Sequence, residues 1–275
     1  MDSPAYTLVA LDLDGTTIRR DGTVSPRLKA AVSECLARHI HVILATGRMP
    51  QSAYKFWREL GLPPGPLVAY QGATVVQMPQ GRTLAKITLP HEGAREAVEW
   101  AIAHNVLTQV YVAEELWVSR EDPRVRDYIE QNHIPAWVRG PLEIIDWPEP
   151  PVKVLLQGES GLLDSLRGEL ESLVSSHPIR IFKSQSDYLE LVNKEVGKST
   201  GLRTATKMLG ILQERVFAIG DAENDIDMLK WAGWGVAMGQ ALAQVKAAAD
   251  AVTAAVDEDG AAIALERWVL GKAVD

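Results

Sequence analysis

Val9-Ala10-Leu11-Asp12-Leu13-Asp14-Gly15-Thr16-Thr17 is the stretch on which the reading of this chain turns. Leu8 to Leu11 is an apolar run that predicts a buried strand, and it ends in two carboxylates. At a spacing of i, i+2, an extended backbone sends both to one side. Gly15 then lets the chain turn away sharply. Unpaired charge is expensive inside a protein. Two carboxylates at a strand tip are therefore either the solvated end of a turn or part of a site. Asp-x-Asp alone does not decide between these; residues far down the chain do.

Working outward, Asp21-Gly22 marks a turn, and Ser25-Pro26 predicts a helix start with proline in its first turn. Leu28, Ala31, Val32, Cys35 and Leu36 follow at helical spacing. Residues 39–46 predict a second, nearly continuous apolar strand, 51–60 a helix and 67–70 a third strand. Alternation of helices with apolar strands predicts a parallel sheet buried on both faces. From about residue 74 the texture changes to hairpins mixed with helices. Strands are expected at 74–78, 83–89, 107–112, 116–118, 152–157 and 179–182, with helices at 92–104, 124–133 and 162–175. From Tyr188 the α/β rhythm returns: strand 189–192, helix 198–209, strand 215–220, helix 224–231, strand 236–238, helix 241–249, strand 251–252 and helix 260–270. The fold class expected is α/β, with a Rossmann-like parallel-sheet core interrupted by an α+β insert. The core is placed at 1–82 and 186–275, the insert at 83–185.

The 275 residues are 47% hydrophobic and 23% charged, as in ordinary soluble globular proteins. A net charge of −8 argues against general binding to nucleic acid or anionic membrane, but not against a small anionic substrate held at a locally positive site. The single cysteine, Cys35, excludes an intrachain disulfide and reads as a buried core thiol. There is no signal-peptide pattern at Met1 and no apolar run long enough for a membrane span, so a cytoplasmic protein is expected. The six histidines make no zinc-ligand spacing. Trp100, Trp117, Trp137 and Trp147 of the insert are expected to be packing residues.

Ligands of a parallel sheet bind beyond the carboxyl ends of its strands. Polar groups are expected there at Asp12 and Asp14, at Thr46, at Lys198, and at Asp221 with Asn224 and Asp225. Gathered carboxylates repel one another unless they surround a hard cation, and oxygen ligands suit Mg²⁺. Thr46 and Lys198 can donate to a phosphoryl group. Each charge contact at about 4 Å is worth roughly 4 kcal/mol gross at an effective dielectric near 20.

Taken together, these residues resemble the haloacid dehalogenase superfamily. Asp12-Leu-Asp14-Gly-Thr16 resembles its first motif, Thr46-Gly47-Arg48 its second, Gly197-Lys198-Ser199 its third and Gly220-Asp221-Ala-Glu-Asn224-Asp225 its fourth. Gly235-Val-Ala-Met-Gly239, Asp257-Glu-Asp-Gly260 and the large insert resemble the Cof-type (IIB) branch, in which the insert is an α/β cap domain. The resemblance spans nearly the whole chain and implies a Mg²⁺-dependent phosphatase of small phosphomonoesters: a sugar phosphate, phosphoglycolate or a phosphorylated cofactor. It implies that Asp12 is the nucleophile that becomes aspartyl-phosphate and that Asp14 is the general acid and base. Asp12, the backbone carbonyl of Asp14, and Asp221 would hold the metal. Thr46, Gly47, Lys198 and Asn224 would bind the phosphoryl group, Asp225 would support the metal-bound water, and Arg48 is either a substrate contact, reaching phosphate or cap, or the partner of an acidic neighbour. The cap would select the leaving group. A phosphomutase or phosphotransferase, or a non-catalytic regulator that binds phosphometabolites, is the alternative. A monomer or weak homo-oligomer is expected, with a small phosphorylated metabolite as its partner.

The chain departs from that branch at two places. Gln71-Gly72-Ala73 stands where Asn-Gly-Ala is usual, and Gly197 where a serine often precedes the lysine. A P-loop reading of Gly197-Lys198-Ser199 fails because the position five residues before Gly197 is Val192, not glycine.

Overall fold

A computed structural model describes residues 6–132, 134, 136–140 and 144–273. His133, Pro135 and Pro141, which the sequence reading put at the end of a helix and in proline-rich connections, lie outside the described residues. In chain order the elements of the first unit begin with β1 (Leu8–Leu11), α1 (Pro26–Ala37), β2 (His41–Leu44), α2 (Pro50–Glu59), β3 (Gly65–Ala69), β4 (Thr74–Met78) and β5 (Arg82–Lys86). The insert follows: α3 (His91–Ala103), β6 (Leu107–Val112), β7 (Glu115–Val118), α4 (Pro123–Asn132), β8 (Ala136–Val138), β9 (Lys153–Gln157), α5 (Ser160–Leu173), β10 (Ile179–Gln185) and β11 (Tyr188–Asn193). The chain then returns through α6 (Lys198–Leu209), β12 (Val216–Gly220), α7 (Ile226–Trp231), β13 (Trp234–Ala237), α8 (Ala243–Lys246), β14 (Ala251–Val252) and α9 (Gly260–Ala264).

The chain divides into two compact units, 1–85 with 197–275, and 86–196. The first is built on a five-stranded sheet in the order β14-β13-β12-β1-β2, parallel throughout. All four β1 residues are fully buried, as the continuous apolar run requires of a central strand covered on both faces. Ser25 caps α1 by accepting from the Leu28 amide at 3.1 Å, and Pro26 opens the helix. The third strand departs from expectation. β3 touches the parallel sheet only through a single bridge, Ala45 to Val68, and otherwise pairs antiparallel with β4 in a three-stranded sheet completed by β5. The short Tyr70–Gly72 turn between β3 and β4 favours that hairpin.

In the second unit a six-stranded sheet runs β10-β11-β9-β6-β7-β8. Val110, Val112, Val154, Leu156, Leu189 and Leu191 alternate onto one face and form a core with Ala97 and Val98 of α3 and Leu163 and Leu170 of α5. This places β11 differently from the sequence reading, which gave residues 186–196 to the core domain. β11 pairs antiparallel with both β9 and β10, so the boundary lies at 196/197. An apolar run carries no mark of which sheet it joins, and its partners lie about 10 and 35 residues upstream. Trp117 and Trp147 are buried as expected, but Trp137, on the edge strand β8, is 52% exposed.

Candidate active site

Three neighbouring parallel strands deliver the first groups of the site. Asp12 follows β1, Asp221 follows β12, and Thr46 stands two residues beyond β2. The Asp12 amide donates to the Ile219 carbonyl at 3.1 Å, which extends the β1–β12 ladder one residue past the strand. There the extended conformation stops. The Leu13 carbonyl accepts from the amides of Thr17 at 3.0 Å and Ile18 at 2.8 Å, closing a tight loop. The two carboxylates consequently do not share a side. Asp12 is 5% exposed, whereas the Asp14 side chain is 54% exposed and held by Arg48, whose Nε and Nη2 donate to its two oxygens at 2.8 and 2.6 Å. Arg48 is set by Ser52 at 3.2 Å and by the Phe56 ring at 5.2 Å, and its observed role is to pair with Asp14.

Lys198 opens α6 and is 1% exposed. Its Nζ lies 2.5 Å from Asp12 Oδ1 and 2.5 Å from Asp225 Oδ1. Asp225, fully buried, also accepts the amides of Asp221 at 2.9 Å and Ala222 at 3.0 Å on its other oxygen. Both its oxygens are committed, so Asp225 is the post that holds Lys198 and the Asp221 turn in place. Gly197 precedes Lys198 for a steric reason: a Cβ there would lie 2.3 Å from Asp227 Oδ2, the oxygen that accepts the Ser199 amide and secures the first turn of α6.

Asp12, Asp221 and Asp225 offer carboxylate oxygens within 4.8 Å of one another. Three carboxylates face one buried ammonium, and the excess negative charge shows in the proton affinities of Asp12 and Asp221. Burial, then the Asp225 carboxylate, pushes Asp12 well above the usual range against the opposing pull of Lys198. The same two causes push Asp221 up to about 6. Burial works against the Lys198 charge, but Asp12 and Asp225 outweigh it and hold the ammonium protonated. An all-oxygen donor set with surplus negative charge fits a hard divalent cation.

Thr46 is fully buried. Its Oγ1 accepts the Arg48 amide at 3.1 Å, and its carbonyl accepts the Gln71 amide at 2.9 Å. Gln71 adopts φ +60°, a left-handed conformation that costs a non-glycine residue about 1–3 kcal/mol where it is held in place. Gln71 Oε1 accepts from Asn224 Nδ2 at 2.7 Å, so the residue at the first departure from the motif pattern directly orients a candidate phosphate-binding amide. Gly47 sits against that side chain, since a Cβ there would lie 2.3 Å from Gln71 Nε2. The structure therefore brings Asp12, Lys198, Asp221 and Asp225 into one cluster, joins Thr46, Gly47 and Asn224 through Gln71, and turns the Asp14 carboxylate to Arg48. Sequence reasoning missed Thr17, whose hydroxyl donates to the Asp12 carbonyl at 2.5 Å, and Gln240, which reaches the Gly15 carbonyl at 2.6 Å. The polar residue ending Gly235-Val-Ala-Met-Gly-Gln240 was the available signal.

Residues 9–265 match the haloacid dehalogenase-like hydrolase family. A 5-amino-6-(5-phospho-D-ribitylamino)uracil phosphatase of Bacillus subtilis, YitU, is 28% identical over 98% of this chain and 99% of its own length. The crystal structure of a haloacid dehalogenase-like hydrolase from Bacteroides thetaiotaomicron superposes with a TM-score of 0.84 at 31% identity, over 95% of this chain and 99% of that one. The subclass IIB sugar phosphatase BT4131 shares the fold, with a TM-score of 0.83 at 22% identity over 95% and 98% of the two chains. No described helix is long and apolar enough to cross a membrane.

Proposed function

The chain belongs to the haloacid dehalogenase-like hydrolases, and on that premise we propose that it is a Mg²⁺-dependent phosphatase of small phosphomonoesters. The observation that carries this reading is the buried Asp12–Lys198–Asp225 arrangement beside Asp221. A carboxylate fixed by a buried lysine is a pre-aimed nucleophile, and the lysine is also a fixed positive charge for an incoming phosphoryl group.

In the proposed reaction Asp12 attacks phosphorus and the bond to the leaving oxygen breaks, while Asp14, released from Arg48 and carrying a proton, gives that proton to the leaving oxygen. Asp14 then takes a proton from water, which attacks the aspartyl-phosphate and releases inorganic phosphate and free Asp12. Lys198, the Thr46 hydroxyl, the Gly47 amide and Asn224 bind the phosphoryl oxygens, where positioning and electrostatics dominate the barrier. Asp12, the Asp14 carbonyl and Asp221 would hold Mg²⁺, which supplies charge neutralisation between the carboxylates and the phosphoryl group. Asp225 keeps Lys198 and Asp221 in register. Substrate selection is assigned to residues 86–196. The resemblance to a phosphatase of a phosphoribitylamino compound makes phosphorylated sugars and sugar alcohols the first substrates to try.

The test is phosphate release from a panel of small phosphomonoesters, with Mg²⁺ and with EDTA, for the wild type and Asp12→Asn. Mg²⁺-dependent release that drops by on the order of 10⁴-fold or more in Asp12→Asn is expected. Comparable release from that variant would remove Asp12 as nucleophile. No release from any ester would favour a phosphotransferase or a binding protein.

A further inference from the structure

Gln240 lies just past β13, and its carboxamide is used at both ends. Nε2 donates to the Gly15 carbonyl at 2.6 Å and lies 3.4 Å from Asp221 Oδ2, while Oε1 accepts the Val256 amide at 3.0 Å. Val256 N–H can only donate and the Gly15 carbonyl can only accept. The amide therefore has one orientation, with its NH₂ toward Gly15 and Asp221. Those two contacts lie on the two segments that carry the carboxylates: the turn after Asp12 and the turn after β12. The segments are already in close approach. Gly15 has φ +83°, and a Cβ there would lie 2.3 Å from Asp221 Oδ2. Thr16 Oγ1 reaches Asp221 Oδ1 at 3.3 Å. A second tie holds the same loop to the same C-terminal stretch, Arg19 to Asp259 at 2.6 Å.

We infer that Gln240 is a positioning residue for the cation site. It fixes the separation of the Asp12 turn from Asp221 and is itself anchored by the main chain at Val256. This rests on the reading that Asp12 and Asp221 hold a divalent cation. Asp221 shares its oxygens between the hydroxyl of Thr16 and the amide of Gln240, both at long distances of 3.3 and 3.4 Å. Such contacts orient a carboxylate while leaving lone-pair capacity for a metal. Partners of this kind are worth roughly 10–100-fold in metal affinity. A bond that served only the fold would, when lost, lower stability and leave affinity for the ion unchanged.

The experiment is calorimetric titration of Mg²⁺ alone into the full chain, paired with Tm measured without metal. It compares wild type, Gln240→Met, which keeps length and shape without the amide, and Gln240→Asn, which keeps the amide one methylene short. Mg²⁺ affinity lowered by about 10–100-fold in Gln240→Met is the expected result, beside a modest fall in the metal-free Tm from the lost Gly15 and Val256 hydrogen bonds. If Gln240→Met does not fold, Gln240→Asn carries the test, with weaker Mg²⁺ binding expected. Unchanged Mg²⁺ affinity in a folded variant, beside a wild type that binds, overturns the role of Gln240 alone. A wild type that takes up no Mg²⁺ overturns the cation site and this inference with it.

Discussion

Each unit of the molecule buries a lysine, and the two do so on opposite terms. In the second unit Lys153 of β9 faces Glu190 of β11 at 3.2 Å, with both side chains 5% exposed or less, and lies 4.5 Å from the centre of the Tyr111 ring. Gln109, hydrogen-bonded to Gln157 at 2.9 Å, continues the same polar face of the sheet. Charge there is balanced, one cation to one anion. In the first unit Lys198 is shared by two carboxylates at 2.5 Å, with a third, Asp221, in the same cluster. Charge there is unbalanced by design of the sequence. A balanced buried pair is explained by the fold itself, whereas a surplus of buried carboxylate is what a divalent cation could offset.

The comparison breaks most visibly if the two lysines are replaced in turn. Lys198→Met removes the charge that the proposed reaction aims at the phosphoryl group, so turnover is expected to fall by roughly 10²–10³-fold, with kcat and KM both affected. Lys153→Met strands Glu190 in the sheet and is expected to cost about 3–5 kcal/mol of stability, while Lys153→Met with Glu190→Leu recovers most of it. Chemical denaturation and steady-state kinetics on all three variants decide. A Lys198→Met protein that loses stability but keeps its turnover would make the first lysine as structural as the second.

Addition of Mg²⁺ sharpens the same contrast. At 100 times its dissociation constant a ligand specific to the folded state adds about 2.7 kcal/mol, read as a rise in Tm. Asp221, raised to about 6, and Asp12, pushed well above the usual carboxylate range, together set the pH dependence. A carboxyl whose folded value lies above its unfolded value favours the metal-free fold at low pH, and that contribution is lost as pH rises through about 6. Mg²⁺ binding runs the other way, since protons compete for the same oxygens and each pH unit below 6 weakens it up to about tenfold. The Mg²⁺-induced rise in Tm should therefore be larger at pH 7.5 and shrink toward pH 5. A rise that is equal at both values would place the ion away from Asp221.

Much of this was legible because it is local. Asp12 and Asp221 end predicted strands, Lys198 begins a predicted helix, and strand order then brings them together. What was not legible is non-local. Nothing near Asp14 says that Arg48, 34 residues on, takes its carboxylate, or that the backbone leaves the strand at Asp12 so that i, i+2 no longer means one side. β11 reads equally well in either unit, because an apolar strand does not name its partners. Gln240 is marked in the sequence only as a polar residue closing an apolar strand and turn, and that mark does not name Gly15, 225 residues away in sequence, as its partner.

Cys35 is a third buried ionisable group, and it tests the rule from its neutral side. The thiol is buried on α1, and burial, then the Glu34 carboxylate, pushes its proton affinity up from near 9 to about 11 against the weaker opposing pull of Arg38 and Lys272. Between those values the unfolded chain releases the thiol proton and the folded chain keeps it. Stability from this group is therefore complete below pH 9 and falls by about 1.4 kcal/mol per pH unit as the pH climbs toward 11. Measured against Cys35→Ala, whose difference from the wild type isolates this one group, the wild type should lose ground steadily over that range. The native protein should also fail to react with a thiol reagent at pH 8 until it is unfolded. A difference that stays constant from pH 9 to 11, or prompt reaction of the native thiol, would mean that burial at Cys35 does not exclude charge. The inference from surplus charge at Asp12 and Asp221 would then lose its contrast, because it holds only if this interior admits an ion where a close partner holds it and refuses one where burial outweighs the surrounding charges.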